Sequence, residues 1–275
     1  MRAEEVPSAL ILNPAEEDHW YLGSKKASMR FGATDLNPSG DWEPQKPQDE
    51  FQSIPGLETY GCVLFAIAKA YIALARFSGW AFLEDVAERF FGAFAGTKKG
   101  GTDFHYAGEV LRKVCGLVPQ KVMPWTDEIN TLEQFYDKDM AKGLLPLGKQ
   151  FLAEWEPGNE WVWLPGAPLS PAQKQEKIQE ALRRGPVCVT VDGSYRKKGK
   201  YYTKEVGKAD THCVWMMSHK GHGRIHDQYA PFIKELDTNY DHNAAKVYFL
   251  KKREVSGTSF WGQVWASFFR LWKAS

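Results

Sequence analysis

From Cys62 to Leu74 nearly every side chain is apolar, in the order Cys-Val-Leu-Phe-Ala-Ile-Ala-Lys-Ala-Tyr-Ile-Ala-Leu. A run without a polar stripe predicts a helix buried on all sides, and the rest of the domain has to be built around it. It is shorter than the ~18 apolar residues that a membrane span needs. Gly61 is a turn residue, which puts Cys62 in the first helical turn. Unpaired backbone N–H groups and the positive end of the helix dipole meet there and favour an anionic sulfur. Cysteine is also among the most buried residue types, and space filling is the reading for the other three. Cys115 lies at the apolar end of a helix, while Cys188 and Cys213 neighbour valines in strands.

The 275 residues suffice for one large domain or two small lobes. A net charge of +1 offers nothing global to attract nucleic acid, and none is expected as a partner. Four cysteines without close pairs give neither a disulfide framework nor a zinc ribbon, which points to a reducing compartment. Glu4 and Glu5 stand where a signal peptide would be basic, and Glu16, Glu17 and Asp18 arrive before an apolar run develops, so neither a signal peptide nor a transmembrane helix is expected.

Residues 1–50 are interrupted by turn residues too often for a long helix and predict an extended arm anchored by aromatic residues such as Trp20 and Trp42. Residues 51–165 read as a helical lobe. After the central helix, Ala81–Phe94 carries Val86, Ala87, Phe90 and Phe91 at helical spacing, and Thr102 or Asp103 caps a helix that ends at Gly116. Another helical stretch runs from Ile129 to about Trp155, and Gly158 to Gly166 is the expected linker. Residues 166–255 read as a β lobe, entered through a helix that Ser170-Pro171 starts and Gly185-Pro186 stops. Strands are expected around Val187–Val191, Val214–Met217, Arg224–Tyr229 and Val247–Leu250, with Lys197–Lys200 as a turn. The fold class is α+β, a helical lobe plus an antiparallel β-sheet lobe.

A thiolate nucleophile needs an imidazole beside it and a third group to orient that imidazole. His212, in Thr-His-Cys-Val-Trp, falls at the beginning of a strand, and Asp227 follows the next short strand, so a hairpin would set the two side by side. With Cys62 on its helix, this order and spacing resemble the papain-like cysteine peptidases. Arg184-Gly185-Pro186-Val187-Cys188-Val189 is similar to the helix, Gly-Pro and strand that enter that family's β lobe. His226-Asp227-Gln228-Tyr229 resembles the segment around its third catalytic position, and the likeness covers roughly residues 50–252.

The resemblance implies a peptidase cleaving peptide bonds of a peptide or protein substrate without a cofactor, with Cys62 as nucleophile, His212 as general base and acid, and Asp227 orienting His212. It implies an oxyanion donor as well. The family's glutamine position, six residues ahead of the cysteine, holds Gly56, and the nearest glutamine is Gln52, reaching the site through the longer loop Ile54-Pro55-Gly56-Leu57; Glu58 or Tyr60 are the alternatives. Val63 replaces the usual aromatic residue after the cysteine, and no tryptophan follows Asp227. These departures, with an arm shorter than the usual inhibitory propeptide, resemble the cytoplasmic or phage-associated members more than extracellular digestive ones. Two other readings keep the fold: a cell-wall peptide or amide hydrolase with the same triad, and a catalytically inactive peptide-binding or structural protein.

His219, His222 and His226 could ligate zinc, but Gly221 and Gly223 mark a hairpin loop and no cysteine completes the set, so surface histidines and no metal are expected. His19, His105 and His242 show no evident partner in the sequence. In residues 256–275, Phe260, Trp261, Val264, Trp265, Phe268, Phe269 and Trp272 form one broad stripe, an amphipathic helix of about four turns. Such a stripe packs on its own domain, docks to a partner or lies at a membrane surface, where arginine and lysine contact phosphates. Packing on its own domain is the leading expectation; deleting residues 256–275 should then lower the melting temperature, and unchanged melting of a folded, soluble truncation would exclude it.

Overall fold

The structure is a computed structural model, and it describes residues 10–11, 35–54, 56–80, 84–194, 196–205 and 207–253. Most of the N-terminal arm, the start of the Ala81–Phe94 stretch and the aromatic stripe of 256–275 lie outside the described residues.

Strand β1 (Leu10–Ile11) is followed by an arm segment whose Trp42 is fully buried, its indole N–H donating to the Leu182 carbonyl at 2.7 Å. Strands β2 (Ser53–Ile54) and β3 (Leu57–Glu58) form a small antiparallel hairpin. Helix α1 (Cys62–Phe77) comes next, and every residue from Cys62 to Ala75 is buried, as its uninterrupted apolar composition requires. Each leucine, isoleucine, valine or phenylalanine so buried contributes roughly 1.5–3 kcal/mol relative to exposure.

Helix α2 (Glu88–Ala95) begins later than its apolar spacing suggests, because Val86 instead bridges to Pro119 and Ala87 takes an extended conformation as N-cap. Strand β4 (Thr102–Asp103) pairs with β1 and leads into α3 (Phe104–Val110), capped by Asp103 Oδ1, which accepts from the N–H groups of His105 and Tyr106. A π turn over Leu111–Cys115 ends at Gly116, which has φ 68°. The Ile129–Trp155 stretch is two helices, α4 (Leu132–Phe135) and α5 (Lys138–Glu154). Its break has a local cause: Thr131 and Gln134 form a capping box for the first, and Asp137 accepts from the N–H groups of Asp139 and Met140 to cap the second.

The expected linker at Gly158–Gly166 is instead, as far as Trp161, part of strand β5 (Trp155–Trp161). Its glycine and proline are tolerated because β5 is an edge strand, paired only with β12 (Ala245–Lys252) within the six-stranded sheet. Helix α6 (Pro171–Arg184) starts with a Ser170–Gln173 capping box and stops at Gly185. The remaining strands are β6 (Val187–Val191), β7 (Arg196–Lys198), β8 (Tyr201–Thr203), β9 (His212–His219), β10 (Gly223–His226) and β11 (Ile233–Glu235). The main sheet has the order β11-β10-β9-β6-β12-β5, and each neighbouring pair is antiparallel.

Period-two alternation does not translate into an exposed face here, because β6 is buried at every position. Cys188 points toward α1, its thiol donating to the Ala66 carbonyl at 3.2 Å. Val187, Val189 and Val191 point the other way and are equally buried, since α6 packs on β6, β9 and β12. Tyr71 of α1 fixes the helix further along, its hydroxyl donating to the Gly158 carbonyl at 3.1 Å and its ring meeting that of Tyr248 edge-on.

Two glycines of α5 separate packing from propensity. A Cβ on Gly148 would lie 1.9 Å from the Cys115 carbonyl oxygen and 2.9 Å from the Phe90 ring, whereas one on the exposed Gly143 would meet nothing within 4 Å. Gly148→Ala should therefore destabilise by about 1–3 kcal/mol, and Gly143→Ala should stabilise by about 0.5–1 kcal/mol. Urea unfolding midpoints of opposite sign relative to the parent chain would bear this out; equal shifts would not.

Candidate active site

Cys62 is the first residue of α1, and Gly61 supplies the N-cap without a side-chain hydrogen bond. A side chain at 61 has no room: a Cβ would lie 2.7 Å from the Tyr136 hydroxyl, which itself donates to the Thr59 carbonyl. The preceding residue, Tyr60, has φ 56°, a left-handed conformation uncommon outside glycine. Its N–H donates to Glu58 Oε1 at 2.9 Å, which helps to hold this turn.

The β9–β10 hairpin supplies the other two residues named from sequence. His212 is the first residue of β9, a strand in the interior of the sheet, and Asp227 directly follows β10. Pairing of Trp215 with His226 brings the two together, and His212 Nε2 lies 2.8 Å from Asp227 Oδ1. Cys62 acts on the same imidazole by raising its pKa, and since Nε2 is committed to Asp227, Nδ1 is the nitrogen left to face sulfur. All three side chains are fully buried.

Burial alone would lower the His212 pKa, but the charge and hydrogen bond of Asp227, aided by those of Cys62, outweigh it and hold the imidazole at about 9. For Asp227, burial works toward the neutral acid. The charges and hydrogen bonds of His212 and Lys234 overcome it and keep the carboxyl well below its usual range.

Lys234 was not legible as a site residue in the sequence. Its Nζ donates to Asp227 Oδ2 at 2.6 Å, delivered by the pairing of Lys234 with Ile225 one strand over. Asp227 Oδ1 also accepts from the N–H groups of Gln228 and Tyr229 at 2.5 and 3.2 Å. The Gln228 side-chain amide donates to the Cys62 carbonyl at 3.4 Å, and with its oxygen and nitrogen exchanged it would instead donate to Asp227 Oδ1 at 3.2 Å and to the Cys213 carbonyl at 3.3 Å. From α1, Lys69 donates to the Asp227 carbonyl at 2.7 Å. The only signal for Lys69 was a lone cation in an apolar run.

Gln52 is folded back beside Thr59, three residues ahead of Cys62. The β2–β3 hairpin absorbs the extra residues and returns the chain, so that Thr59 Oγ1 donates to the Gln52 carbonyl at 2.6 Å. The Gln52 side chain is fully buried, and its amide nitrogen donates to Glu58 Oε1 at 2.8 Å. The Tyr229 hydroxyl donates to Glu58 Oε2, and the Tyr229 ring lies 5.7 Å from that of His212. Glu58 therefore gathers Gln52, Tyr60 and Tyr229 around the approach to His212.

The histidine triplet does not converge. His226 is fully buried, correcting the expectation of a surface histidine, because Asp49 at 3.0 Å and the rings of Trp215 and Phe232 cover it. His219 contacts Gln175 at 2.7 Å, and His222 approaches Glu235 at 3.6 Å. His242 is buried against the Thr190 carbonyl, and His105 contacts Lys246 at 2.5 Å, so both have partners that the sequence did not reveal. No helix among the described residues is long and apolar enough to cross a membrane.

No protein-family model and no curated protein sequence matches the chain. Solved structures do. The digestive procathepsin L2 proteinase from Tenebrio molitor larval midgut superposes with a TM-score of 0.59 at 12% identity, over 90% of this chain and 79% of that one. Xylellain, a cysteine protease from Xylella fastidiosa, gives 0.56 at 15% identity over 93% and 98%. The bromelain protease from Ananas comosus, solved with the E64 inhibitor, gives 0.53 at 14% identity over 77% and 98%. A helix bearing a cysteine at its start, laid against an antiparallel sheet that presents a histidine, is thus an instance of the papain-like cysteine protease fold.

Proposed function

We propose that the chain is a thiol hydrolase of peptide bonds in which Cys62, His212 and Asp227 act as a unit. The observation that carries this reading is the buried pair of His212 Nε2 and Asp227 Oδ1 at 2.8 Å, with Cys62 contributing to the raised pKa of the same imidazole. In this mechanism Cys62 Sγ attacks the scissile carbonyl carbon, and His212 gives its proton to the departing amine. Water, deprotonated by His212, then releases the acyl group from sulfur. Asp227 fixes the ring orientation and compensates the imidazolium, and Lys234 and the Gln228 backbone N–H hold Asp227 ionised and aligned.

The Cys62 backbone N–H and the Gln52 amide are the proposed oxyanion donors. Gln52 has to exchange its bond to Glu58 for one to the developing oxyanion, so Glu58 competes with the substrate for that donor. Four free cysteines suit work in a reducing compartment. Cell-wall peptides and other amides are attacked by the same steps, so a peptide-library cleavage profile decides between these substrate classes. A catalytically inactive peptide-binding protein is the second reading, favoured by the complete burial of Cys62 and by the engagement of Gln52 with Glu58.

Alkylation separates the two readings. Iodoacetamide should modify Cys62 much faster than Cys115, Cys188 or Cys213, and His212→Ala should remove that preference; uniform slow labelling would favour the binding protein. With a cleavable peptide in hand, Gln52→Ala should lower kcat by roughly 10²–10³-fold, and an unchanged kcat would remove Gln52 from the mechanism.

Stability should also depend on pH through His212. Its folded pKa of about 9 exceeds the ordinary 6.5, so its contribution is complete below pH 6.5 and is lost as pH rises through about 9. Asp227, depressed in the folded state, contributes above the ordinary carboxylate range and loses that only as pH falls through its lowered value, leaving the alkaline limb to His212. Urea unfolding of the parent chain and His212→Gln between pH 6 and 10 should give curves that converge, at up to about 1.4 kcal/mol per pH unit. Parallel curves would contradict the raised imidazole.

A further inference from the structure

Two turns along α1 from Cys62, where Lys69 leaves the helix, lies a cavity of about 510 Å³. Glu50, Asp85 and Glu88 line it together with Lys69 and Arg76. One carboxylate oxygen from each of the three acids lies within 4.8 Å of the other two. Oxygens bound to one calcium ion at ~2.4 Å can be no further apart than about 4.8 Å, so the spacing is that of ligands to a shared ion.

Independent of that spacing, Glu88 is only 1% exposed, and its Oε2 has no hydrogen-bond partner. A buried carboxylate oxygen left without a donor is costly, and proteins rarely leave one so. The cations in the same cavity donate elsewhere: Lys69 to the Asp227 carbonyl, and Arg76 to the Lys46 and Glu84 carbonyls. Asp49, also in the lining, is matched by Lys46 and His226, and Asp85 Oδ1 accepts from the Val86 N–H.

We propose that Glu50, Asp85 and Glu88 bind a divalent cation of the calcium class. An all-carboxylate set selects a hard cation over zinc, which prefers nitrogen and sulfur. Calcium fits better than magnesium, because it accepts irregular geometry and several waters, for which the cavity has room, whereas magnesium demands a near-ideal octahedron at shorter distances. The ion ties the segment that leads into β2 to the entrance of α2, two stretches otherwise joined across α1.

The test is calcium-dependent unfolding of the full chain after treatment with EGTA, at pH 8 and constant ionic strength. Calcium chloride should raise the melting temperature by several degrees in a saturable manner, with a single site by calorimetric titration and a weaker response to magnesium. Glu88→Gln and Asp85→Asn should each abolish the response, while their calcium-free forms melt no lower than the calcium-free parent, because like-charge repulsion has been reduced. Absence of a saturable shift in the parent up to 10 mM calcium, or full retention of the shift in both variants, would overturn the proposal.

Discussion

The buried carboxylate of Asp227 sets the terms for much of this structure. A charge removed from water survives only if fixed donors and an opposite charge replace the solvent, and each of its partners comes from a different place in the chain. His212 arrives by the β9–β10 pairing, Lys234 by the β10–β11 pairing, and the N–H groups of Gln228 and Tyr229 by the turn that leaves β10. Lys69 reaches the Asp227 carbonyl from α1. Sheet register, hairpin turn and helix placement must all be right before this charge is tolerable, so the site and the fold are specified by the same contacts.

Helix α1 supplies the complementary constraint. Buried on every side, it needs a sheet beneath it and helices around it. The sheet in turn needs α6 on its other face, because the valines of β6 point away from α1 and are still fully buried. Placing the cysteine at the first residue of this helix gives it a position that cannot drift, since the side chains behind it are locked in the core. The left-handed Tyr60 and the sterically required Gly61 bring the chain into that position.

Much of this was legible in the sequence, for physical reasons. The unbroken apolar run of α1, the Ser170-Pro171 start and Gly185-Pro186 stop of α6, and the Asp103 cap of α3 are local signals that tertiary context reinforces. The proximity of His212 and Asp227 followed from a short hairpin alone. What sequence concealed was non-local. β5 reads as a linker because an edge strand can carry glycine and proline, and its pairing with β12 spans much of the chain. Lys234 looks like any strand lysine until register sets it opposite Ile225. His226 sits among glycines that suggest a surface loop, yet Asp49 from a remote segment covers it.

The β2–β3 hairpin changes what distance along the chain means. Because its two strands pair with each other and return the backbone to its starting place, residues can be added at its tip without separating Gln52 from Thr59. Contour length between Gln52 and Thr59 is therefore a free variable, and their through-space contact is the constrained one. A sequence pattern written with a rigid gap ahead of the first helix passes over such an excursion, whereas one that admits a self-closing hairpin there would register it.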